Sequence, residues 1–374
     1  MKIVFAGGGT GGHILPIVAI ARELQKSVSD QQLQLHYIGP KDMFGEMTLE
    51  QEGLRIHRIF AGKLRRTGGI GAWLKNIFDI CVLLPLGILW ALKIVLFLWP
   101  DAIVSKGGYG ALPVTIAGWL LRRPVFLHES DIAPGLANRI GGKFALEIFT
   151  SFQRTEYFSA KKMLFVGNPI RRELLTGDQQ EAARLFQLTN EKPVLLILGG
   201  SQGAQRVNNI ILEILAKLLE SFEVIHQTGK RNFEQVRKEG KVVVTQDNLR
   251  FYHPLPFLTE PELKHAYATA SLVVSRAGSG SIFEISARGI PAVLIPLPES
   301  AQNHQLKNAY GYAQNGAAIV LEESNLTPHF FLDRIISIVF NEEKYKKMSS
   351  AAFDFSKPNA AYIIAHYLLE YLKR

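Results

Sequence analysis

The chain has 374 residues, a formal net charge of +9, 47% hydrophobic residues and 20% charged residues. At about 150 residues per domain, this length predicts two domains, and the composition excludes a mostly disordered or fibrous protein. The positive charge favours an acidic partner: a nucleic acid, an anionic lipid or a phosphorylated substrate. The single cysteine, Cys81, excludes an intramolecular disulfide bond and a cysteine-based zinc site. Residues 1–5 lack the pattern of a cleaved signal peptide, so we expect none.

Each half of the chain opens with a short apolar run, a glycine-rich loop and a helical repeat of apolar residues. These patterns start at Ile3 and at Val194. Strand, glycine loop and helix form the entry unit of a doubly wound parallel sheet. The sequence therefore predicts two Rossmann-like α/β domains, residues 1–166 and 167–357, with a helix within 358–374 that packs back on the first. Further strands are predicted at Leu35–Ile38, Ala102–Ser105, Val125–His128, Ile148–Thr150, Val224–Gln227, Leu272–Ser275 and Ala292–Ile295.

The first glycine loop spans Gly7 to Gly12 and is followed by His13. Backbone N–H groups at a helix N-terminus bind anions, which makes this loop a candidate phosphate site. The loop contains G-x-G-x-x-G, but no acidic residue closes a second strand about 20 residues later, so the dinucleotide pattern is incomplete. A tight turn without a ligand, and a packed or capping role for His13, are the structural alternatives.

Residues 80–99 form an apolar run whose one charged residue is Lys93. Its length is that of a membrane span, but Pro85 and Gly87 interrupt it, which favours an amphipathic or buried helix. The region just before it, from Lys63 to Phe78, interleaves cations with apolar side chains. This mixture predicts docking on an anionic membrane surface, and a solvated loop ahead of a core helix is the alternative.

His128 and Glu129 end the strand that is predicted from Val125. Because the carboxyl ends of parallel strands line the ligand crevice, Glu129 and His13 are expected to face one site. The chain contains no Asp-x-Asp and no pair of histidines with zincin spacing, so no protein-bound metal or other cofactor is expected.

A third glycine loop, residues 276–281, follows the strand predicted at Leu272–Ser275 and opens another helix. Its residues Ser279, Gly280 and Ser281 are candidates for binding a phosphate. Glu284 follows near the start of that helix, where a carboxylate can accept two O–H groups from a ribose. A purely helix-stabilising role for Glu284 is the alternative.

These motifs occur in the order found in one enzyme family, over nearly the whole chain. The matching stretches are Gly8–His13 with Pro16, Lys106–Gly110 with Pro113, His128–Glu129, Pro134–Asn138, Gly167–Arg171, Gly199–Ala204, Arg276–Glu284, and Asn303–Gln305 with Asn308–Ala309. The chain resembles the UDP-N-acetylglucosamine:undecaprenyl-pyrophosphoryl-muramoyl-pentapeptide N-acetylglucosaminyltransferases of bacterial peptidoglycan synthesis, the MurG type.

The resemblance implies a GT-B glycosyltransferase fold, with two Rossmann-like domains facing a cleft and the donor UDP-N-acetylglucosamine held mainly by the second. On the donor it implies Ser201, Ser279, Gly280 and Ser281 near the diphosphate, Glu284 on the ribose, the Leu258 backbone on the uracil, Arg171 bordering the nucleotide, and His304 and Gln305 near the sugar hydroxyls. Facing the acceptor and the donor phosphates it implies Thr10, Gly11, Gly12 and His13, with Asn138 in an acceptor loop.

The implied reaction moves N-acetylglucosamine to the muramoyl 4-hydroxyl of an undecaprenyl-linked acceptor, at the cytoplasmic face of the membrane and without a nucleic-acid partner. An α-linked donor that gives a β-linked product requires inversion, hence a general base, for which His13 is the first candidate and Glu129 the second. Many members of the family have the motif His-Glu-Gln-Asn. In this chain the last two positions of that motif are Ser130 and Asp131. The family Asn contacts the donor sugar, and the carboxylate of Asp131 can accept but not donate a hydrogen bond there.

Other functions remain as alternatives. Another GT-B enzyme acting on a lipid, such as a diacylglycerol glucosyltransferase, would show a similar basic and apolar patch. A noncatalytic nucleotide-sugar-binding scaffold would show no turnover, and an integral membrane protein would be anchored by residues 80–99. Nucleic-acid binding is the weakest alternative, since no aromatic-basic reading motif occurs.

Overall fold

The computed structural model describes residues 1–8, 11–28, 32–63, 65, 69–153, 156–200 and 204–373. It divides into two compact units, the first comprising Met1–Arg171 with Pro358–Arg374 and the second Arg172–Lys357. The division falls after Arg171, a few residues beyond the position expected from the sequence.

The first unit contains a seven-stranded parallel sheet in the order β3-β2-β1-β4-β5-β6-β7. Its strands are β1 (Lys2–Ala6), β2 (Gln34–Gly39), β3 (Arg55–Arg58), β4 (Ala102–Ser105), β5 (Val125–Glu129), β6 (Glu147–Thr150) and β7 (Met163–Phe165). Its helices are α1 (Gly11–Ser27), α2 (Met43–Gln51), α3 (Gly69–Phe78), α4 (Leu84–Leu98), α5 (Ala111–Leu120) and α6 (Leu136–Phe144).

The second unit contains a six-stranded parallel sheet in the order β10-β9-β8-β11-β12-β13. Its strands are β8 (Val194–Leu198), β9 (Glu223–Gln227), β10 (Tyr252–Leu255), β11 (Ala270–Ser275), β12 (Ala292–Leu294) and β13 (Ala318–Val320). Its helices are α7 (Gln179–Phe186), α8 (Gln205–Ser221), α9 (Phe233–Val243), α10 (Glu260–Thr269), α11 (Ser279–Ala287), α12 (His304–Ala313), α13 (Pro328–Val339) and α14 (Glu342–Phe355).

Both sheets confirm the predicted doubly wound α/β architecture. The central strands β1 and β8 are apolar and almost wholly buried, because helices cover both faces of a parallel sheet. Strand order reverses between β1 and β4 in the first sheet and between β8 and β11 in the second. Ligands of such folds bind at the carboxyl ends of the strands beside this reversal, which places one candidate site on each unit.

Helix α15 (Ala360–Lys373) follows the second unit in sequence but belongs to the first. It packs on α1 and contributes Ile364 and Leu368 to the core of the first unit. Its Tyr371 ring stands edge-on to Phe126 of β5, with the ring centroids 5.2 Å apart.

The apolar segment after residue 68 differs from expectation. Residues Gly69–Leu98 form one continuous helical run, in which a π-helical turn at Asp79–Leu83 joins α3 to α4. The helical run continues through Pro85, so the expectation that this proline interrupts it is wrong. The π-helical turn lies just before Pro85, where the helix accommodates the missing N–H of the proline. A buried helix is also wrong, because only 17% of its most apolar stretch is buried. By length and composition alone, this is the one described helix that reaches membrane-spanning size.

Helix α4 touches the rest of the unit along a narrow seam of small residues, Gly87, Ala91 and Val95, one turn apart. Gly87 permits a close approach, because a Cβ there would overlap the carbonyl oxygen of Phe60 and lie 3.3 Å from Pro113 Cγ. The seam therefore fixes α4 against α5 and leaves its other faces outside.

Candidate active site

In the first unit, the glycines that follow β1 and β4 bring two loops together. A Cβ on Gly108 would lie 2.9 Å from the carbonyl oxygen of Gly8, and a Cβ on Gly110 would lie 2.6 Å from that of Gly7. Gly107 and Gly108 also have φ values of +86° and +79°, which side chains rarely adopt. The glycine-rich sequence after β4 is thus explained by close packing against the first glycine loop.

His13 lies beside this turn. Gly11, Gly12 and His13 form the first turn of α1, whose N–H groups have no partner within the helix and carry the positive end of its dipole. The imidazole borders Gly108, since a Cβ on that glycine would lie 3.1 Å from His13 Cε1. His13 is half-buried at the carboxyl end of the sheet, beside the strand reversal.

Glu129, at the end of β5, borders the same turn through Asn138. Its Oε1 accepts a hydrogen bond from the Asp131 backbone N–H at 2.8 Å, and its Oε2 accepts one from Asn138 Nδ2 at 2.6 Å. The Asn138 amide in turn lies against Gly107. The structure therefore gathers His13, Glu129 and Asn138 around one Gly-Gly turn.

Burial dominates the electrostatics of this group. Glu129 is 4% exposed, and burial, together with the nearby Asp131 carboxylate, raises its pKa to about 7. Burial also lowers the pKa of Lys106 to about 8, although the carboxylates of Glu129 and Asp131 oppose that shift. His128 is neutral, because burial and the nearby Lys106 hold its pKa well below 6.5, and its Nε2 donates to the Gly167 carbonyl oxygen.

Three residues that the sequence marks only as members of motifs form a largely buried chain of hydrogen bonds: Lys106, Ser130 and Asn168. Lys106 Nζ donates to Ser130 Oγ at 2.5 Å, and Ser130 Oγ donates to Asn168 Oδ1 at 2.8 Å. Lys106 directly follows β4, so the rule that singled out Glu129 after its strand would also have found it.

In the second unit, the loop after β11 presents a helix N-terminus to open space. A Cβ on Gly278 or on Gly280 would meet no described atom within 4 Å. Ser279 is buried, and its hydroxyl has no hydrogen-bond partner among the described residues. Ser281 lies in the first turn of α11. This loop therefore offers unused donors at the positive end of a helix dipole.

Glu284 is buried on the next turn of α11, and its Oε2 accepts a hydrogen bond from Tyr267 OH at 3.2 Å. Arg276 is the first residue of this loop and is paired through Nη2 with the buried Glu323 carboxylate. The other oxygen of Glu323 pairs with Arg206, near the start of α8. One carboxylate thus holds two guanidinium groups, each near the N-terminus of a helix.

The remaining donor-side residues lie at loop and helix ends. Gln305 Oε1 accepts from the Leu297 backbone N–H at 3.0 Å, and His304 is the first residue of α12. The Leu258 N–H already donates to Gln227 Oε1 at 3.0 Å, so a contact to a base through that N–H would have to replace this bond.

Arg171 is buried at the end of the first unit. Thr10 and Ser201 lie outside the described residues. Within the described part of the chain, no cluster of three or more His, Cys, Asp or Glu residues has the arrangement of a metal site.

Two family models match the chain, one in each unit. The glycosyltransferase family 28 N-terminal domain matches residues 3–150, and the glycosyltransferase family 28 C-terminal domain matches residues 194–364. Together with the two doubly wound sheets and their sites, these matches define a two-domain glycosyltransferase of family 28.

Relatives that match over more than 90% of the chain narrow the assignment from glycosyltransferase family 28 to one kind of N-acetylglucosamine transferase. The UDP-N-acetylglucosamine--N-acetylmuramyl-(pentapeptide) pyrophosphoryl-undecaprenol N-acetylglucosamine transferase of Clostridium tetani is 36% identical over 98% of both chains. Transferase 2 of the same name from Bacillus cereus is 37% identical over 92% of this chain and 93% of that one. The chain belongs to the family of these N-acetylglucosamine transferases.

A solved structure supports the fold. The crystal structure of Acinetobacter baumannii MurG matches with a TM-score of 0.75 and 24% identity over 99% of both chains. The family resemblance and the GT-B fold expected from the sequence are therefore confirmed.

Proposed function

We propose that the protein transfers N-acetylglucosamine from UDP-N-acetylglucosamine to the muramoyl 4-hydroxyl of undecaprenyl-pyrophosphoryl-muramoyl-pentapeptide. This reaction converts lipid I to lipid II, the last cytoplasmic step of peptidoglycan precursor synthesis, which serves cell shape and division. The observation that carries the proposal is the 36% identity to the Clostridium tetani transferase across both units.

The donor binds to the second unit. The open N-terminus of α11, with Ser279, Gly280 and Ser281, neutralises the diphosphate, a role that needs no metal ion. Glu284 accepts hydrogen bonds from the ribose hydroxyls, while Tyr267 OH donates a hydrogen bond to its Oε2. The backbone of Leu258 contacts the uracil.

The remaining donor and phosphate contacts follow the family motifs. His304 and Gln305, at the start of α12, contact the sugar hydroxyls. By the family motifs, Thr10 and Ser201 contact the donor phosphates, and Arg171 borders the nucleotide. Gly11 and Gly12 supply N–H groups to phosphate oxygens at the N-terminus of α1.

The acceptor binds to the first unit, and His13 is the general base. Inversion at the anomeric carbon requires in-line attack by the acceptor hydroxyl, which must lose its proton as the bond forms. The half-buried His13 imidazole sits at the positive end of α1, where it can reach a ligand. Glu129 is less suited to this role, because N–H donors already occupy both of its oxygens. It instead positions Asn138 and Asp131.

The protein attaches to the cytoplasmic face of the membrane as a peripheral protein, through Lys63 to Phe78 and the outer face of α4. Ile70 is 81% exposed and Trp73 is 62% exposed, and Lys75 follows Trp73 by two residues on the same helix, α3. Arg65 is partly neutralised by the buried Asp79, with which it forms a 2.7 Å ion pair. Apolar side chains beside cations suit the boundary between anionic headgroups and acyl chains.

The seam of α4 favours a helix that lies in the membrane plane. A run of 30 residues is about 45 Å long, enough to cross a bilayer. Crossing would require α4 to separate from α5, which would expose the core beneath Gly87. Attachment in the plane keeps that seam intact and buries only the outer face.

The catalytic proposal is tested by UDP release from UDP-N-acetylglucosamine, with and without a lipid-linked muramoyl-pentapeptide. We expect release to depend on that acceptor, and His13→Ala to lower kcat by about 10²- to 10⁴-fold. The control is His366→Ala, at an exposed position on α15. Release driven equally well by diacylglycerol, or no acceptor-dependent release, would contradict the proposal.

The membrane proposal is tested by sedimentation with vesicles that contain phosphatidylglycerol. We expect Trp73→Glu to reduce binding strongly, and high salt to release the wild-type protein. Val242→Glu serves as the control, since Val242 is an apolar residue on α9 in the second unit that is even more exposed, at 85%. Wild-type protein that resists both salt and carbonate would instead indicate a spanning helix.

A further inference from the structure

Arginine side chains hold both ends of segment 295–299, which leads from β12 towards α12 in the second unit. At its first residue, the Ile295 carbonyl oxygen accepts a hydrogen bond from Arg276 Nη1 at 3.1 Å. At its last residue, Glu299 Oε1 accepts one from Arg206 Nη1 at 3.2 Å. The segment is therefore fixed at both ends to side chains that come from other parts of the sheet.

The two arginines are joined by one carboxylate. The side chain of Glu323, in the turn after β13, is 6% exposed. Its Oε1 lies 2.5 Å from Arg276 Nη2, and its Oε2 accepts a hydrogen bond from Arg206 Nη1 at 2.7 Å. Because Glu323 already orders the guanidinium of Arg206, the contact to Glu299 loses less side-chain entropy than an isolated exposed ion pair does.

The turn that follows the segment is strained and needs such support. Gln302 and Asn303 have φ values of +56° and +54°, in the left-handed region that is uncommon for residues other than glycine. The Gln305 N–H donates to Ser300 Oγ at 3.3 Å, across this turn. Because the backbone itself disfavours the conformation, contacts from outside the turn must maintain it.

Segment 295–299 in turn orients the side chain of Gln305. Gln305 Oε1 accepts a hydrogen bond at 3.0 Å from the N–H of Leu297, in the middle of the segment. This use of the amide oxygen directs the Nε2 N–H groups to a ligand, and they suit oxygen acceptors such as those of a sugar. A shift of the segment would therefore misplace a donor that faces the sugar.

We propose that Arg206 is a positioning residue for the donor sugar. Anchored on Glu323, its guanidinium holds Glu299 and so keeps segment 295–299 in place. The segment then holds the Gln305 amide in the orientation that binds the sugar. The inference rests on the proposed function, because it takes the donor to be a UDP-sugar whose sugar contacts Gln305. It predicts that Arg206 selects for the sugar rather than for the nucleotide.

The experiment measures the Kd of UDP-N-acetylglucosamine and of UDP by calorimetric titration, without acceptor. It compares wild type, Arg206→Met, Glu299→Ala and the double variant. The readout is the Kd of UDP-N-acetylglucosamine divided by the Kd of UDP. Each single variant should raise this ratio by about threefold, the size expected for one exposed ion pair.

The two single variants separate positioning from simple electrostatics. Arg206→Met removes a cation and Glu299→Ala removes an anion, so an effect of charge on the phosphates would change ligand affinity in opposite directions. Positioning instead changes the ratio in the same direction in both variants. The double variant should raise the ratio no further than either single variant, because each substitution breaks the same contact.

Two further measurements test the origin of the effect. Raising sodium chloride from about 0.05 to about 0.5 M screens exposed ion pairs, so it should raise the ratio of wild type towards that of Arg206→Met and leave the variant nearly unchanged. At saturating donor, kcat of Arg206→Met should stay within about twofold of wild type. Arg184→Met, which breaks an exposed 3.0 Å ion pair with Glu181 on α7, is the matched control and should leave the ratio unchanged.

The fold should persist in Arg206→Met, because Arg276 still pairs with Glu323, and the circular dichroism unfolding midpoint checks this. An unchanged ratio in either single variant, or effects that add in the double variant, overturns the inference. If the ratios change as expected but wild type transfers no sugar to the muramoyl acceptor, the proposed reaction fails and the inference stands. A wild type that transfers the sugar while the variants keep its ratio overturns the inference alone, and a wild type that does not bind UDP-N-acetylglucosamine overturns both.

Discussion

Replacing Gly107 by alanine should destabilise the first unit far more than its backbone conformation alone explains. Gly107 has φ +86°, and an alanine in this region costs about 1–2 kcal/mol. Its Cβ would also lie 2.5 Å from Asn138 Nδ2 and 2.6 Å from Asn138 Cγ. Non-bonded carbon atoms pack at about 3.5–4.0 Å, so the amide must move by about 1 Å.

That movement breaks the 2.6 Å hydrogen bond from Asn138 Nδ2 to the Glu129 carboxylate. A hydrogen bond to a charged group contributes about 1.5–3 kcal/mol, so Gly107→Ala should cost about 2.5–5 kcal/mol in all. Gly53→Ala is the matched control: its φ is +79°, and its nearest neighbour, Gln25 Nε2, lies 3.7 Å from the new Cβ. The control carries the backbone strain alone, about 1–2 kcal/mol.

The assay is urea unfolding followed by tryptophan fluorescence, which reports on the first unit because all four tryptophans belong to it: Trp73, Trp90, Trp99 and Trp119. In an Asn138→Ala background, Gly107→Ala should cost no more than Gly53→Ala, since the clash is gone. Equal costs for the two glycine variants in the wild-type background would refute the reasoning, and so would a Gly107→Ala cost that Asn138→Ala leaves unchanged.

Three further outcomes are expected. In the helical run 69–98, Gly71→Ala should stabilise the first unit by up to about 1 kcal/mol, because no described atom lies within 4 Å of the new Cβ. Gly87→Ala should destabilise it by about 1–3 kcal/mol, because the new Cβ would overlap a backbone carbonyl. The urea unfolding midpoints of the two variants should therefore shift in opposite directions. Ser279→Ala should raise the KM for UDP-N-acetylglucosamine without changing stability, while Ser286→Ala, which removes a buried hydroxyl that donates to a carbonyl, should lower stability by about 1 kcal/mol and leave that KM unchanged. Asp178→Ala should lower the unfolding free energy of the second unit by about 1 kcal/mol, measured by circular dichroism, because its side chain caps α7.

The strands that the sequence predicts and those it misses differ in position. Every predicted strand is present, and each lies inside a sheet, where burial on both faces selects a continuous apolar run. The four missed strands are the four edges, β3, β7, β10 and β13. Strand β3 reads Arg-Ile-His-Arg and β10 contains Pro254, because an edge strand tolerates polar residues and a missing N–H.

Some residues of the candidate site could likewise be predicted from the sequence, and others could not. His13, Glu129 and Glu284 were found from sequence because each sits at a recognisable place, after a strand or in the first turns of a helix. The chain from Lys106 through Ser130 to Asn168 was not, because its members come from three separate segments. Only the register of β4 beside β5, and the return of the chain after β7, bring these three side chains together.

The position of α15 constrains the order in which the two units can fold during synthesis on the ribosome. The first unit buries Ile364 and Leu368, residues that are made only after the whole of the second unit. While the second unit is being synthesised, α1 and the rings of Phe126 and Phe149 lack the helix that covers them. The second unit, whose residues are contiguous, can fold first even though it is made second. A chain truncated before residue 358 would therefore be destabilised in the first unit, whose other residues lie at the opposite end of the sequence.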